Sequence, residues 1–342
     1  MSETMNEVTF NKIAIVGAGA IGGWLGVHLA RLNSGTGAQV SVLARGDTLS
    51  ALQQQGLQLH QGGELHTLPV NASNDAAALG VQDLVVIAVK APALASVAAQ
   101  VGPLIGPNTV VLTAMNGVPW WFLQGFGGPV AGRSLGTVDP DGAIARALPA
   151  SHIVGCVVHA SCSVDAPGVI RHHFGDGLIV GEPSGQGTAR VQALHALLKK
   201  AGFNASVSPQ IQKDIWYKLW GNMTVNPISA ITGATTDRIM DDPLVRQFIS
   251  SVMLEAKAIG EKIGIPIDQQ PEDRHAVTRK LGAFRTSMLQ DVDAGKPVEL
   301  DALVSAVREL GQLTQVATPF TDALLGLSRL HAQGRGLYGM AA

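Results

Sequence analysis

Three polar side chains recur at a spacing of four within an otherwise apolar stretch of this 342-residue chain: Lys218, Asn222 and Asn226. A helix places residues four apart on one face, so a helical stretch would align an ammonium group with two carboxamides. Such an ammonium group can donate a proton to a substrate oxygen and stabilise charge on it, while the amides orient the substrate. Trp216 and Trp220 border the stripe. Because polar groups buried without partners are costly, the stripe either binds a polar ligand or meets water.

A glycine-rich motif near the N-terminus predicts a dinucleotide-binding loop. It follows a predicted buried strand at residues 11–16 and opens an amphipathic helix that continues to residue 32. In G-x-G-x-x-G, the first glycine permits a tight turn, the second admits a pyrophosphate to the backbone, and the third lets the helix pack closely. The helix N-terminus attracts phosphates. The alternative is a tight turn without a ligand. The predicted cofactor-binding residues are Gly17, Gly19, Ala20, Ile21 and Gly22.

Arg45, at the end of a predicted strand over residues 38–45, favours NADP(H) over NAD(H). A cofactor with a free ribose 2′-hydroxyl usually meets an Asp or Glu at this position. Here the strand ends in Ala44 and Arg45. The planar guanidinium group matches a 2′-phosphate. The alternative is that Arg45 is an ordinary solvated charge.

Two further predicted strands end in polar residues. The strand at residues 83–90 ends in Lys90, and Asn116 follows the strand at residues 109–115. In doubly wound folds, ligands bind at the edge formed by the carboxyl ends of the parallel strands. Either residue alone is a common cap or turn former. Two of them in a chain with a nucleotide loop indicate contacts with a ligand.

An aromatic cluster, Trp120–Trp121–Phe122, follows Asn116 in a chain with only 4% aromatic residues. It lines a substrate cleft, belongs to a core or forms a subunit contact. The sequence leaves these three alternatives open.

Composition excludes several classes of function. Charged residues make up 15% of the chain and the formal net charge is −2, so there is no basic surface for nucleic acid. The N-terminus is polar and acidic, and no apolar run approaches the ~18 residues of a membrane span. Cys156 and Cys162 are expected to be reduced. No cluster has metal-ligand spacing, so we predict no metal. We expect a cytoplasmic protein with a small-molecule partner, and we keep a homodimer open.

The hydrophobic pattern changes near Pro209. Before it, strands and helices alternate; after it, helical periodicity dominates, with breaks expected at Pro227 and several later Gly and Pro residues. We therefore predict an α/β fold with an N-terminal Rossmann-type doubly wound parallel sheet, residues 1–209, and an all-helical C-terminal substrate domain, residues 210–342. Other expected features are a helix at 48–56, a β-excursion at 57–71, an irregular connection at 125–152, strands at 152–160, 168–174 and 177–182, and a helix at 188–201.

Four motifs in combination resemble one known family. They are G-A-G-A-I-G, V-K-A ending one strand, N-G ending the next, and K-L-x-x-N-x-x-x-N-P opening the helical half. A fifth motif, S-M-L-Q-D-V-D-A-G-K-P-V-E-L-D, occupies residues 287–301. Together they resemble the ketopantoate reductases (2-dehydropantoate 2-reductases) over nearly the whole chain. The Lys-Asn-Asn motif and the motif at 287–301 are the more specific.

The resemblance implies roles for the polar residues of the helical half. Lys218 matches the general acid that protonates the substrate's keto oxygen. Glu299 matches the carboxylate that binds the substrate's hydroxyl end and helps to hold the lysine. The residues that match substrate-positioning groups are Asn222, Asn226 and Ser287.

The resemblance also implies the cofactor contacts and the reaction. Asn116 matches a residue near the nicotinamide and the substrate, Lys90 one near the cofactor ribose, and Arg45 the 2′-phosphate ligand. The implied reaction is NADPH-dependent reduction of 2-dehydropantoate to (R)-pantoate, a step towards pantothenate and coenzyme A. Alternatives are reduction of another, bulkier 2-oxo acid, a related hydroxy-acid or opine-type dehydrogenase, and a non-catalytic NADP(H)-binding regulator.

Overall fold

A single sheet organises the first of two units into which the chain divides. The computed structural model describes residues 8–32, 38–126 and 128–339, so the acidic segment at 1–7 lies outside the described residues. One unit comprises the chain up to Met115 together with Ala143–Ile211, and the other comprises Asn116–Gly142 and the chain from Gln212. Each unit is built differently: strands dominate the first, and helices dominate the second.

The sheet of the first unit is mostly parallel, as the alternating pattern predicts. The strands are β1 Lys12–Val16, β2 Gln39–Leu43, β3 Leu57–Gln61, β4 Glu64–Leu68, β5 Asn71–Ser73, β6 Gln82–Ile87, β7 Ile105–Thr113, β8 Ile153–Ala166, β9 Val169–Gly181 and β10 Asn204–Val207. Their order in the sheet is β4-β3-β9-β8-β7-β6-β1-β2-β5, and β10 pairs with β9. The pairs β3–β4 and β8–β9 are antiparallel, whereas β1 runs parallel to both β2 and β6.

Apolar helices cover the sheet and explain its hydrophobic strands. In β1, Ile13 and Ile15 are buried and so is the intervening Ala14, which is typical of a parallel strand covered on both faces. Trp24 and Leu25, on the first helix, are fully buried in the same core. The helices of this unit are α1 Ala20–Ala30, α2 Gly46–Gln55, α3 Ala76–Leu79, α4 Leu94–Ala98, α5 Ala143–Ala147 and α6 Ala189–Lys200.

Several local predictions are confirmed and others are wrong. The β-excursion is the hairpin β3–β4, with left-handed Gly62 and Gly63 at its turn. The two strands predicted at 168–174 and 177–182 are the single strand β9, because both parts pair with the long β8, with a register shift between Phe174 and Gly177. The strand predicted over 83–90 ends at Ile87, so Lys90 lies in the loop that follows β6.

The connection predicted at 125–152 is not wholly irregular, because it contains α5. Its residues up to Gly142 group with the helices of the second unit. Cys156 and Cys162 carry free thiols, and burial raises the pKa of the Cys162 thiol to about 12.

The second unit is built around one long buried helix, α7 Ile211–Thr232. The predicted break at Pro227 does not occur, and the helix continues through it. Proline in a helix interior costs about 3 kcal/mol, but Val225, Ile228 and Ala230 around it are buried, so packing outweighs local propensity. The other elements are α8 Thr236–Asp241, α9 Pro243–Lys262, α10 Pro271–Arg279, α11 Ser287–Asp293, a π-helical turn Asp301–Ser305, α12 Ala306–Thr314 and α13 Pro319–Gly334.

The aromatic cluster belongs to the core of the second unit. Trp120, Trp121 and Phe122 are all buried, and the Phe122 ring centroid lies 6.0 Å from that of Trp216 on α7. Of the three alternatives for this cluster, the core is therefore correct. No helix within the described ranges combines the length and apolar character needed to cross a membrane.

Candidate active site

The loop between β1 and α1 has the backbone that a dinucleotide requires. Gly17 has a φ of 93°, a left-handed conformation that favours glycine. A Cβ on Gly22 would overlap the Gly17 carbonyl oxygen and lie 3.0 Å from the Ala88 Cβ, so only glycine lets the helix approach the strand. A Cβ on Gly19 would meet nothing within 4 Å, so the backbone there is open to a ligand. These features fit a pyrophosphate at the helix N-terminus.

Arg45 and Lys90 follow strands that flank this loop. Val16 at the end of β1 pairs with Leu43 of β2 and with Ile87 of β6, so the three strands end at one edge of the sheet. Arg45 is exposed and immediately precedes α2, and Lys90 is exposed in the loop after β6. Both cations therefore lie in loops on the edge that carries the glycine loop. Ala20 and Ile21 form the first turn of α1.

Lys218 is held by Asn116 within the second unit. The Lys218 Nζ donates a hydrogen bond of 2.9 Å to the Asn116 Oδ1. Both side chains are half-buried. The sequence predicted each residue as a separate polar position, and the structure brings them together. The amide oxygen orients the ammonium group without adding charge.

The segment after Asn116 is joined to the turn that follows Glu299. The Val118 N–H donates to the Ala302 carbonyl at 2.8 Å, and a Cβ on Gly117 would lie 2.6 Å from the same oxygen. Glu299 is buried, with 6% of its surface exposed, two residues before the π-helical turn. Single π-helical turns occur frequently at functional sites. The close approach at Gly117 thus ties the Asn116 segment to the Glu299 segment.

The remaining predicted polar residues have side chains available for a ligand. In the described ranges, no hydrogen bond involves the carboxamides of Asn222 and Asn226 or the Ser287 hydroxyl. Asn226 is nevertheless buried, at 7% exposure, and Ser287 begins α11. An amide that is largely removed from water benefits from a partner supplied by a ligand or water. The stripe on α7 is therefore only slightly exposed at Asn226.

A contact that the sequence did not predict holds the Glu299 segment from the far end of the chain. The Tyr338 phenol donates a 2.6 Å hydrogen bond to Asp301, and the Val298 N–H donates to the Leu337 carbonyl at 3.1 Å. Burial, together with the bond to Asp301, raises the pKa of Tyr338 to about 12. No sequence motif links Tyr338 to Asp301, so only the fold reveals this pair.

Comparisons with known proteins agree with this architecture. Residues 13–185 match the family model described as ketopantoate reductase PanE/ApbA, and residues 210–332 match its C-terminal model. A 2-dehydropantoate 2-reductase of Mesorhizobium japonicum is 46% identical over 96% of this chain and 99% of its own length. A crystal structure from Ralstonia solanacearum MolK2, described provisionally as a ketopantoate reductase, has a TM-score of 0.92 and 58% identity over 96% of this chain and 100% of that one.

A more distant structure, of D-mandelate dehydrogenase with NADH and anilino(oxo)acetate, shares the fold. Its TM-score is 0.80 at 20% identity, and the match covers 96% of this chain and 100% of that one. That structure shows the fold alone, whereas the family models and the full-length relative define the class as nicotinamide-dependent oxidoreductases. The chain belongs to the ketopantoate reductase family, since two family models and a full-length relative agree.

Proposed function

We propose that the protein reduces 2-dehydropantoate to (R)-pantoate with NADPH, in the biosynthesis of pantothenate and coenzyme A. The observation that carries the proposal is the hydrogen bond between Lys218 and Asn116. The same unit holds the amides of Asn222 and Asn226, which form no hydrogen bond within the described residues. The name of the M. japonicum relative supports the choice of substrate.

Lys218 acts as the general acid in this proposal. NADPH, when bound, supplies the hydride. As negative charge develops on the keto oxygen, the Lys218 ammonium group stabilises it and donates its proton. Asn116 keeps the Nζ in place through the 2.9 Å bond. Glu299 favours the charged form of Lys218 and binds the hydroxyl end of the substrate.

The neutral polar groups position the keto acid. Asn222, Asn226 and Ser287 donate hydrogen bonds to the carboxylate and hydroxyl of the substrate without altering the net charge of the site. Orienting the ketone in this way lowers the entropic part of the barrier. The open hydrogen-bonding capacity of these three side chains supports this role.

The loops at the sheet edge bind the cofactor. The residues Gly17, Gly19, Ala20, Ile21 and Gly22 surround the pyrophosphate, Arg45 binds the 2′-phosphate and Lys90 contacts the ribose region. The exposed position of Arg45 two residues after the end of β2, with Ala44 rather than an acid before it, supports NADPH rather than NADH.

A panel of 2-oxo acids tests the proposal directly. Initial rates of NADPH and NADH oxidation are measured with 2-dehydropantoate, pyruvate, 2-oxoisovalerate and phenylglyoxylate. We expect kcat/KM for 2-dehydropantoate with NADPH to exceed every other combination by at least about tenfold. Equal rates on all four acids would contradict the substrate, and no turnover with any would favour a regulator that binds the cofactor. The homodimer stays a prediction, which light scattering after size-exclusion chromatography measures.

A further inference from the structure

Arg274, on α10, is a half-buried cation without a carboxylate partner among the described residues. Its Nε is fully buried and donates no hydrogen bond to the described residues. No ion pair within those residues involves Arg274. Burial lowers the pKa of its guanidinium group, and the nearby Tyr217 opposes this effect. An arginine remains charged in proteins, so a guanidinium group that is partly removed from water is stabilised by an accompanying anion.

The surface of α7 is shaped to hold this guanidinium group. The Arg274 Cζ lies 5.5 Å from the centroid of the Tyr217 ring, which places the cation over an aromatic face. A Cβ on Gly221 would overlap the Arg274 Nε and lie 2.7 Å from its Nη2. The glycine therefore leaves the room that the planar group occupies. Tyr217 and Gly221 are four apart, so they lie on one face of the helix.

Gly221, against which this cation packs, neighbours the stripe of proposed substrate ligands along α7. Gly221 is adjacent in sequence to Asn222 and is three residues from Lys218, a spacing that makes the two positions neighbours on a helix surface. A 2-oxo acid carries its carboxylate on the carbon next to the ketone. Lys218 on α7 and Arg274, which packs against α7 from α10, can therefore bind the keto oxygen and the carboxylate respectively.

We infer that Arg274 forms a carboxylate subsite, in which its guanidinium group binds the carboxylate of the 2-oxo acid while Lys218 serves the keto oxygen. The inference rests on the proposed function. A carboxylate matches the planar donors of arginine and would supply the missing hydrogen-bond acceptor. Because Arg274 would contact the substrate only through its carboxylate, a neutral ketone should not depend on it.

The test compares an acid with its neutral ester in the full-length enzyme. Arg274→Met should lower kcat/KM for 2-dehydropantoate by about 30- to 100-fold, since hydrogen bonds to charged groups are strong. The methyl ester should change less than threefold. Gly221→Ala, which keeps the charge but displaces the guanidinium group, should act in the same direction. Arg279→Met, on the same helix with its guanidinium group at the surface, is the matched control and should leave both substrates within threefold.

Equal losses of kcat/KM on the acid and the ester would assign Arg274 a structural role and overturn the subsite. An unchanged kcat/KM on both substrates would also overturn the subsite. Circular dichroism and Tm establish that each variant folds. If Arg274→Met does not fold, Gly221→Ala decides, because replacing a helical glycine by alanine favours the helix.

Calorimetry with oxamate separates the subsite from the proposed function. Wild type and Arg279→Met should bind oxamate at least tenfold more tightly than Gly221→Ala, even if no 2-oxo acid is turned over. Absence of binding to wild type would overturn the subsite.

Discussion

The ammonium group of Lys218 and the amide oxygen of Asn116 are 2.9 Å apart, although 102 residues separate them in sequence. The bond fixes a flexible lysine side chain before any substrate binds. Because the acceptor is a neutral amide, the lysine keeps its charge available for a developing oxyanion.

Replacing Lys218 by alanine should remove both proton donation and charge stabilisation. We expect kcat for 2-dehydropantoate to fall by about 10³-fold, within the range for a general acid, while the Kd for NADPH stays within threefold. Steady-state kinetics and calorimetry measure the two quantities. Lys213→Ala, an exposed position on the same helix that pairs loosely with Asp268 at 3.8 Å, is the control. Turnover by Lys218→Ala within threefold of wild type would show that the proton comes from elsewhere.

Replacement by alanine should affect different properties at Gly19 and Gly22: cofactor affinity at Gly19 and stability at Gly22. Gly22→Ala introduces an overlap with the Gly17 carbonyl, and we expect the free energy of unfolding to drop by about 1–3 kcal/mol. Gly19→Ala meets open space at an ordinary φ of −76°, so unfolding should be unchanged. Its Cβ would instead occupy the approach of the pyrophosphate, and the Kd for NADPH should rise at least tenfold. Urea unfolding and calorimetry distinguish the pair; tight NADPH binding by Gly19→Ala would argue against a pyrophosphate at this loop.

Arg45→Ala should weaken recognition of the 2′-phosphate alone. We expect KM for NADPH to rise by about tenfold or more and KM for NADH to change less than twofold, since only NADPH carries the extra phosphate. The exposed side chain predicts no change in Tm. Lys200→Ala, at the end of α6, serves as a charge-matched control. Equal increases in KM for NADPH and NADH would contradict the role of Arg45 as the ligand of the 2′-phosphate.

Tyr338→Phe tests whether the C-terminal contact positions Glu299. Loss of the 2.6 Å bond to Asp301 should lower kcat by about three- to tenfold and leave the Kd for NADPH unchanged, because Tyr338 lies in the helical unit. A fall in Tm without a change in kcat would show that the hydrogen bond between Tyr338 and Asp301 stabilises the fold but does not position Glu299.

The same variant has a pH signature. The pKa of Tyr338 is raised to about 12 from an ordinary 10.0, so the folded state favours the neutral phenol. Its contribution to stability is complete below pH 10 and is lost as the pH rises through the folded value. The difference in unfolding free energy between wild type and Tyr338→Phe should therefore be smaller at pH 11 than at pH 8. Urea titrations at both pH values measure it, and a constant difference would contradict the shifted pKa.

Local patterns predicted the elements that depend on local geometry. The glycine spacing indicated the β1–α1 turn, and the four-residue spacing indicated the stripe on α7, because both follow from backbone periodicity. Local patterns failed where contacts between residues distant in sequence determine the structure. Helix α7 passes through Pro227 because its surroundings bury it, and β9 is one strand because β8 pairs with both of its predicted parts. Arg274 and Tyr338 were missed, since nothing local marks their partners.

The chain enters the helical unit after Met115, leaves it after Gly142 and enters it again after Ile211. During synthesis the ribosome therefore makes Asn116 and the aromatic cluster well before α7, which later packs against Phe122. That unit cannot complete its core until the last third of the chain emerges, so its folding depends on contacts of long sequence separation. A gene fragment starting at residue 210 would encode Lys218 without its acceptor, and exchange of the helical half between relatives would need to carry residues 116–142 with it.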